Sequence, residues 1–378
     1  MTSPPIAPLL DYRPALVGGQ GIGRYVRELA RALAELDGVS PLLFAPTRQA
    51  VPRAAPAGAR LVAPRLPSKA VTAVLAGAGL GVERLFGGGD VVHHTQYRRL
   101  PTRRPQVAMV HDLVFLDSDR YVSASVARRM SAFVRDAARR CAVLVTPSEA
   151  VADEVARRLD VDRARVVATP LGVDHAARTE ADPAVAAALA DEVRARGPFL
   201  FTAARLEHRK NLQVVLRALE RLGTDAPRWR IAGVPGEGAA DFERAVAASP
   251  AGARVERVGH LSEGALRAHL DACLAFVLVP HDEGFGLAPL EAMAVGCPAV
   301  TSDVPVVREV CGGAAELVAP EDDAALAEAL RRRLSEGTTR AAGEAARRHA
   351  AAFTWRRTAE RTLAAYRSAV GVTSSPSR

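Results

Sequence analysis

Aromatic residues are scarce in this chain of 378 residues. Tryptophan, tyrosine and phenylalanine together make up 4% of it, which leaves little material for the aromatic platforms on which proteins stack nucleic-acid bases. RNP, zinc-finger and helix-turn-helix signatures are absent from the sequence as well. We therefore expect no nucleic-acid partner. The formal net charge of +8 favours anionic ligands or membrane surfaces without choosing between them.

Cysteine usage and acidic spacing argue against a disulfide framework or a metal site. The chain has four cysteines, at positions 141, 273, 297 and 311, and none of them forms the CxxC pair common in metal sites. Two D-x-D stretches, Asp117-Ser118-Asp119 and Asp160-Val161-Asp162, have a metal-type spacing, but short acidic pairs are common in loops. We expect a reduced protein that needs no essential metal and no other cofactor.

Long apolar runs are also missing. The longest weakly polar stretch, residues 71–82, is rich in glycine and alanine and falls short of the about 20 residues that cross a bilayer. Residues 1–5 lack the basic region and apolar core of a secretory signal. These absences favour a cytoplasmic location without an integral membrane segment.

The chain does contain a repeated alternation of short apolar runs with Ala- and Arg-rich helical stretches. Such alternation predicts βα units around parallel sheets, and the length of the chain predicts two domains. The predicted strands are 6–10, 41–44, 91–93, 107–110, 142–146 and 166–169 in the first half, and 199–202, 229–232, 254–258, 274–279, 299–301 and 315–318 in the second. We expect an N-terminal domain over 1–176, a C-terminal domain over 177–352, a terminal helix over 353–370 and a disordered tail over 371–378.

The segment that joins the strand at 274–279 to the next helix holds two carboxylates. Gly284 and Gly286 let the backbone approach a ligand, and the free amide hydrogens at the start of the helix suit a phosphate. Pro289 fits the first helical position. Glu283 and Glu291 can then both face the hydroxyls of a sugar or ribose. A structural alternative stays open, in which Glu291 is a partner of the helix dipole and Glu283 is a solvated loop residue.

Two turns in the first half are further candidates. The Gly-rich stretch from Gly18 to Arg24 opens a helix predicted at 22–36, and it lacks the GxGxxG fingerprint because Arg24 stands in place of the last glycine. It is either a ligand-binding turn or only a tight connection. His111 and Asp112 follow the strand at 107–110, at the end where α/β proteins bind ligands. His111 is therefore either catalytic or structural.

A basic loop over residues 205–211 follows the strand at 199–202. Arg205 offers a bidentate fork and Lys210 a point charge, and both can stabilise charge on a departing diphosphate. The alternative is a basic loop that faces solvent.

Together these residues follow a known order, and the chain resembles the retaining glycosyltransferases of family 4, in particular their mannosyltransferase-like members. The resemblance covers nearly the whole chain. Its motifs are residues 19–25, 110–113, 146–149 and 170–174, Arg205 with Lys210 and Asn211, and the pair Glu283 and Glu291. The chain departs from many relatives at His208 and Arg209, and we expect neither residue to touch the predicted charges.

The resemblance implies an α/β protein with the GT-B fold, in which two Rossmann-like domains have parallel sheets that face each other across a cleft. It also implies that a terminal helix crosses back to the N-terminal domain, which holds the acceptor, while the C-terminal domain holds a nucleotide sugar. By this similarity His111, Glu283, Arg205 and Lys210 are catalytic. The substrate-binding positions are Gly21, Asp112, Arg205, Lys210, Glu283, Gly284, Phe285, Gly286, Leu287 and Glu291.

We therefore predict an enzyme that moves a hexose from a nucleoside-diphosphate sugar to an acceptor hydroxyl with retention of configuration. GDP-mannose is slightly favoured as the donor, and UDP-sugars are the alternative. The acceptor, whether a glycan, a lipid-linked molecule or a small molecule, is not set by the sequence. Two other readings stay open: a nucleotide-sugar-binding module without catalysis, and a phosphorylase or epimerase of the same architecture.

The helix predicted at 122–140 is amphipathic and strongly basic. It can rest on anionic lipid, which would place the protein peripherally at the inner membrane face, or it can be a solvated helix face.

Overall fold

The computed structural model describes residues 4–17, 21–46, 55–117, 121–337 and 340–373. The Gly-rich positions 18–20, the second aspartate of the 117–119 pair and residues 374–378 of the predicted tail lie outside the described residues. The chain forms two compact units: unit 1 consists of residues 1–117, 124–172 and 355–378, and unit 2 of residues 118–123 and 173–354.

Unit 1 is built on a parallel sheet. Its strands are β1 (Pro8–Asp11), β2 (Leu42–Phe44), β3 (Arg60–Val62), β4 (Val91–His94), β5 (Gln106–Met109), β6 (Val143–Thr146) and β7 (Val166–Ala168). Its helices are α1 (Arg13–Val17), α2 (Ile22–Ala34), α3 (Ser68–Gly77), α4 (Ala124–Arg140) and α5 (Glu149–Leu159), with the terminal helix described below. The seven strands lie in the order β3-β2-β1-β4-β5-β6-β7.

The strands of unit 1 are short and apolar because helices cover both faces of the sheet. Leu9 of β1, for example, lies between Leu42 of β2 and Val92 of β4 and is fully buried. All six predicted strands of this half are present. The edge strand β3 was not predicted, since its three residues are at best half-buried and carry no apolar run.

Unit 2 repeats this plan. Its strands are β8 (Phe199–Ala203), β9 (Arg228–Ala232), β10 (Val255–Gly259), β11 (Ala275–Leu278), β12 (Ala299–Ser302) and β13 (Glu316–Val318). Its helices are α6 (Asp174–Arg178), α7 (Pro183–Arg196), α8 (Leu212–Leu222), α9 (Ala239–Ala248), α10 (Glu263–Ala272), α11 (Leu287–Ala294), α12 (Pro305–Cys311), α13 (Asp323–Glu336) and α14 (Arg340–Ala350). The six strands are parallel and lie in the order β10-β9-β8-β11-β12-β13, and all six were predicted.

A buried polar contact ties the three central strands of unit 2 together. The Trp229 indole of β9 donates to the Thr202 hydroxyl of β8 at 2.9 Å, and that hydroxyl donates to the Val277 carbonyl of β11. All three residues are fully buried. A buried indole N–H and a buried hydroxyl are thus both satisfied within an apolar core, which fixes the register of β8 against its two neighbours.

The terminal helix α15 (Trp355–Thr373) packs against α2 and against β4, β5 and β6 of unit 1. Trp355 and Tyr366 are fully buried there, and the Thr358 hydroxyl donates to the Pro170 carbonyl at 2.7 Å. The helix therefore supplies part of the core of unit 1, although unit 2 separates it from the rest of that unit in the chain.

No helix of the described chain is both long enough and apolar enough to cross a membrane.

Candidate functional site

The sheet order of unit 2 indicates where its ligands bind. From β8 the chain moves outward through β9 to β10 and then returns to the other side of β8 as β11. The loops that leave β8 and β11 therefore diverge from neighbouring strands, and such switch points are where open α/β sheets bind ligands. These loops contain the predicted residues 205–211 and 283–286. They touch directly, since the His281 amide donates to the Arg209 carbonyl at 2.9 Å.

Glu283 joins the two loops through a pair of cations. Its Oε1 atom accepts a hydrogen bond from the Lys210 ammonium, and its Oε2 atom accepts one from Arg209 Nη1 at 3.1 Å. Arg209 Nη1 also donates to the Asp282 carbonyl at 2.9 Å. The expectation that Arg209 would not touch the predicted charges was wrong, because the short turn before Lys210 aims both side chains at one carboxylate.

The Arg209–Glu283–Lys210 cluster is largely withdrawn from solvent. The Glu283 side chain is 11% exposed, and those of Arg209 and Lys210 are 17% and 15% exposed. Burial by itself raises the pKa of the Glu283 carboxyl, but Lys210 and Arg209 outweigh it and hold the pKa below its usual value. Glu283 is therefore ionised at neutral pH, and it is a member of this cluster rather than a solvated loop residue.

Asn211 fixes the backbone next to Lys210. It adopts a left-handed conformation with φ of 51° and begins α8. Its buried side-chain amide donates to the Val279 carbonyl at 3.0 Å and to the Pro320 carbonyl at 2.7 Å. One asparagine thus joins the segments that follow β8, β11 and β13, which sets the direction in which Lys210 leaves its turn.

Arg205 lies apart from this cluster. Its side chain is 60% exposed and its Nε atom is 3.4 Å from the Glu207 carboxylate. The structure thus brings Lys210 and Glu283 together, and it leaves Arg205 on the surface of the same loop.

The helix that follows the acidic loop begins at Gly286. This glycine has φ of +85°, a left-handed conformation that only glycine adopts easily, and Leu287 is the first helical residue. Pro289 is therefore the third residue of α11, not the first as predicted. The change has little consequence for the helix, because the first amide hydrogens of an α-helix have no partner within it and proline only removes one of them. The amides of Leu287 and Ala288 remain as donors at this positive helix end.

Glu291 is held by a histidine that the sequence reading missed. The Glu291 carboxylate accepts from His175 Nε2 at 2.9 Å, and both side chains are buried. His175 lies in α6, directly after Asp174, the last residue of a predicted motif. Its position beside that motif was the only available signal. Phe285 is buried as well, with its ring centroid 6.0 Å from that of Phe353, so it packs within unit 2.

In unit 1 the switch point lies between β1 and β4, and the residues near it gather around His111. His111 Nε2 lies 3.0 Å from the Thr95 carbonyl oxygen, which can only accept a hydrogen bond. Nε2 therefore carries the proton, and Nδ1 keeps a lone pair that can accept a hydrogen bond. Burial lowers the pKa of His111 to about 4, and the bond to Thr95 opposes that shift. The rings of Tyr25 and Tyr97 lie edge-on, at 5.3 and 5.9 Å. His111 is thus a neutral, oriented imidazole at neutral pH.

Asp112 and Gly21 occupy two neighbouring turns. The Tyr97 hydroxyl donates to the Asp112 carbonyl at 2.8 Å and accepts from the Asp112 amide at 2.9 Å, which fixes the turn after β5. Gly21 has φ of 62° and stands at the N-terminal end of α2. One turn later in α2 comes Tyr25, the residue that touches His111.

The sequence analysis did not predict a buried set of hydrogen bonds that is centred on His93. His93 of β4 has its Nδ1 atom 2.7 Å from the Tyr366 hydroxyl of α15 and its Nε2 atom 3.4 Å from the Tyr25 hydroxyl. Burial, followed by the charges of His94 and His111, lowers the pKa of His93 to about 3. This neutral imidazole connects the terminal helix to α2. The sequence shows only a histidine in an apolar run, with no signal for its partners.

The acidic pair at 160 and 162, one of the two with metal-type spacing, lies at the ends of short helical segments. Asp160 ends α5 in a left-handed conformation with φ of 52°, and the Asp162 carboxylate accepts from the Ala164 amide at 3.0 Å. Among the residues that the structure describes, no group of three or more His, Cys, Asp or Glu side chains is placed to hold a metal ion.

Comparison with known proteins identifies the family of the chain. A family model described as Glycosyltransferase Family 4 matches residues 19–177, and one described as Glycosyl transferases group 1 matches residues 190–349. The glycogen synthase of Mycobacterium tuberculosis is 30% identical over 268 residues, which is 69% of this chain and 63% of that protein. The O-antigen chain mannosyltransferase of Salmonella typhimurium is 26% identical over 242 residues, or 63% of each protein. The matched region thus spans less than two thirds of the length of either relative.

Among solved structures, the sucrose-phosphate synthase from Thermosynechococcus elongatus superposes with a TM-score of 0.75 at 19% identity, over 98% of this chain and 100% of that one. At this identity the likeness concerns the fold alone. The two family models together cover most of the sequence, and each unit has the parallel sheet and switch point described above. The chain therefore belongs to glycosyltransferase family 4 and has the GT-B fold.

Proposed function

We propose that the chain is a retaining hexosyltransferase that moves a sugar from a nucleoside-diphosphate donor to an acceptor hydroxyl. The observation that carries this proposal is the convergence of Arg209 and Lys210 on Glu283 at the switch point of unit 2, beside the glycine-started end of α11. A buried site with two cations and a positive helix end favours a doubly charged anion.

The donor diphosphate competes with Glu283 for the two cations. The Glu283 carboxylate neutralises Arg209 and Lys210 and keeps them in place. When a diphosphate takes its place, Glu283 becomes an acceptor for the hydroxyls of the donor sugar, and the amides at the start of α11 bind phosphate oxygens. Arg205 joins from the exposed side of the loop.

Glu291 binds the ribose of the donor in this proposal. A carboxylate can accept two hydroxyl donors, and His175 holds one oxygen of Glu291 at 2.9 Å, which fixes the orientation of the group. His175 is therefore a positioning residue, because it acts on the ribose only through Glu291.

The reaction breaks the bond between the anomeric carbon and the leaving phosphate, whose oxygen takes the bonding electrons. The acceptor oxygen forms the new bond on the same face of the sugar, and its proton passes to the leaving phosphate. Lys210, Arg209 and the helix amides stabilise the negative charge that develops, a role for which no metal or cofactor is required. His111 contributes a neutral imidazole whose Nδ1 lone pair accepts a hydrogen bond from a hydroxyl of donor or acceptor, which orients that hydroxyl without adding charge.

The test is turnover of a panel of nucleotide sugars by wild-type and variant protein. GDP-mannose is our preferred donor, because one relative is named a mannosyltransferase, and UDP-sugars are the alternative. We expect nucleotide release with one donor class, an unchanged rate after EDTA treatment, and retention of configuration in the product by NMR. Lys210→Ala should lower kcat by roughly 10²–10³-fold, the usual effect of removing one charge-stabilising donor.

The matched control is Arg194→Ala, since Arg194 is a cation of unit 2 whose side chain is 71% exposed. Nucleotide binding without release of nucleotide across the panel would instead indicate a non-catalytic binding module. A rate that requires inorganic phosphate would indicate a phosphorylase, and conversion of the nucleotide sugar without an acceptor would indicate an epimerase.

Contact with an anionic membrane, and with it a cytoplasmic location at the inner membrane face, stays a hypothesis within this proposal. The arginines of α4 that support it are all exposed: Arg128, Arg129, Arg135, Arg139 and Arg140. Sedimentation with phosphatidylcholine vesicles, with and without phosphatidylglycerol, tests it. Equal sedimentation in both cases would contradict it.

A further inference from the structure

A cavity in unit 1 is separate from the residues assigned so far. It lies between α3 and the loop that joins β4 to β5, and its volume of about 580 Å³ falls within the range of small-ligand pockets. Four of its lining residues are cationic, namely Lys69, Arg98, Arg99 and Arg103, and no carboxylate of the described residues lines it.

Most of this positive charge is not compensated by the protein. Arg99 pairs with Asp136 at 3.3 Å, and Arg98 donates to the Ser68 hydroxyl at 2.9 Å, which is a neutral partner. Within the described part of the chain, Lys69, Arg98 and Arg103 form no ion pair with a carboxylate. Several like charges around one concave surface raise the local potential and favour an anion there.

A second carboxylate, that of Glu83, contacts uncharged groups of the cavity wall. Glu83 accepts from the Arg103 backbone amide at 3.1 Å and from the Thr102 hydroxyl at 2.9 Å, so it anchors the loop without an ion pair to the Arg103 side chain. Burial, followed by the charge of Arg13, lowers the pKa of the Arg98 guanidinium, and the charge of Asp11 opposes that shift.

The loop that lines the cavity also contacts His111. Thr95 accepts from His111, the Tyr97 ring lies against His111, and the next residue is Arg98. Because three extended residues span at most about 10 Å, the cavity wall at Arg98 begins within that reach of Thr95. One short loop thus carries both the residues that contact His111 and the half-buried cation of the cavity wall.

We propose that this cavity binds a phosphate group of the acceptor, so that the acceptor is a phosphorylated molecule. This inference rests on the proposed function, because it names the chemistry of the molecule that receives the sugar. Lys69 and Arg103 attract the phosphate from the exposed rim, and Arg98 holds it from the half-buried wall.

The phosphate can come from a sugar phosphate in solution or from a lipid headgroup. Exposed apolar side chains bear on this choice: Leu80, which lines the cavity, is 39% exposed, and Val74, in the helix α3 that borders it, is 70% exposed. They could contact acyl chains beside a headgroup, so the experiment needs one arm for each source.

The experiment measures binding of mannose 6-phosphate and of mannose by calorimetry, and binding of phosphatidylcholine vesicles with and without phosphatidylinositol. The variants are the double change Lys69→Gln with Arg103→Gln, both at exposed positions, and Arg98→Gln, with Arg98→Lys to keep the charge. The control is Arg104→Gln, since Arg104 is exposed and adjacent to Arg103 but does not line the cavity.

We expect the phosphorylated ligand to bind and its unphosphorylated counterpart not to bind. Each removed cation should weaken binding by about tenfold or more, as expected for charge-assisted hydrogen bonds, and Arg104→Gln should change it by less than about twofold. Arg98→Lys should restore most of the loss at Arg98. Preference for mannose 6-phosphate identifies a soluble source, and preference for the anionic vesicles identifies a lipid source.

Binding in neither arm would overturn the inference, as would equal losses in the control and in the cavity variants. Nucleoside-diphosphate binding, which depends on Lys210 of unit 2, is measured on the same samples. If nucleotide binding persists while no phosphorylated ligand binds, this inference fails alone. If donor turnover is absent while cavity variants weaken phosphate binding, the proposed function fails and the anion site remains.

Discussion

Replacement of Glu283 by glutamine should destabilise unit 2 at neutral pH. The amide keeps the shape of the carboxylate but removes the charge that compensates Arg209 and Lys210. Both cations are mostly buried, and the loss of one partner from a buried ion pair costs about 3–5 kcal/mol. Arg209 keeps its bond to the Asp282 carbonyl, so we expect the lower end of that range, about 3 kcal/mol. For a unit of this size, such a loss lowers the Tm by roughly 6–12 °C.

The pH dependence of this penalty has a defined sign. The pKa of Glu283 is lower in the folded protein than its ordinary value of 4.5, so its stabilisation is complete above that value and is lost as pH falls through the folded pKa. The difference in the free energy of unfolding between wild type and Glu283→Gln should therefore be largest at neutral pH. It should shrink once the pH drops below about 4.5.

The assay is urea unfolding of both proteins across this pH range, with Glu321→Gln as the control. Glu321 lies 3.1 Å from His281 in the same region, but its side chain is 75% exposed, so its removal should cost less than about 0.5 kcal/mol. A saturating nucleoside diphosphate should recover more stability in Glu283→Gln than in wild type, since the phosphates replace the missing charge. Equal stability of Glu283→Gln and wild type at neutral pH would refute the reasoning.

Three further outcomes follow from the geometry of the two units. Burial lowers the pKa of the imidazoles at positions 93, 94 and 111 to about 3, 4 and 4, so below about pH 6.5 the unfolded chain binds protons that the folded chain does not. As the pH is lowered below that value, the free energy of unfolding should fall by up to about 1.4 kcal/mol for each histidine and each pH unit. A free energy of unfolding that stays constant between neutral pH and about pH 5 would contradict this. Tyr366→Phe leaves His93 Nδ1 without its hydroxyl partner and should cost about 1–3 kcal/mol in urea unfolding, whereas an unchanged value would mean that the bond adds nothing. In Gly286→Ala the added methyl group would lie 3.6 Å from the Val307 side chain, an ordinary contact, so only the strain of the left-handed backbone opposes the change. Urea unfolding should show a loss of about 1–2 kcal/mol in the free energy of unfolding, and a far larger loss would contradict the open space around this position.

The strands and the motif loops could be predicted from the sequence because their signals are local. A buried parallel strand is a short apolar run, and a glycine or a cluster of charge at its end indicates a turn. The strand β3 lacked this signal because it lies at the edge of the sheet and is partly exposed. The start of α11 was misplaced by two residues, since proline is tolerated anywhere in the first turn and does not identify its first residue.

The partners of the site residues could not be predicted, because they depend on long-range contacts. Lys210 and Glu283 are 73 positions apart, and His175 and Glu291 are 116 apart. The direction of Arg209 depends on the turn that Asn211 closes against two other segments. The sequence therefore identified Lys210 and Glu283 as charged residues of interest, but only the folded chain shows that they neutralise each other and that Arg209 joins them.

The position of α15 has a consequence for the order in which the protein forms during synthesis. Unit 1 contains Trp355 and Tyr366 in its core, so the ribosome must complete the whole of unit 2 before unit 1 can close its apolar surface. Unit 2 is nearly continuous in the chain and has no such delay. The nascent N-terminal half therefore exposes an open apolar face throughout translation of residues 173–354, which makes it the part of the newly made protein that most needs chaperone protection.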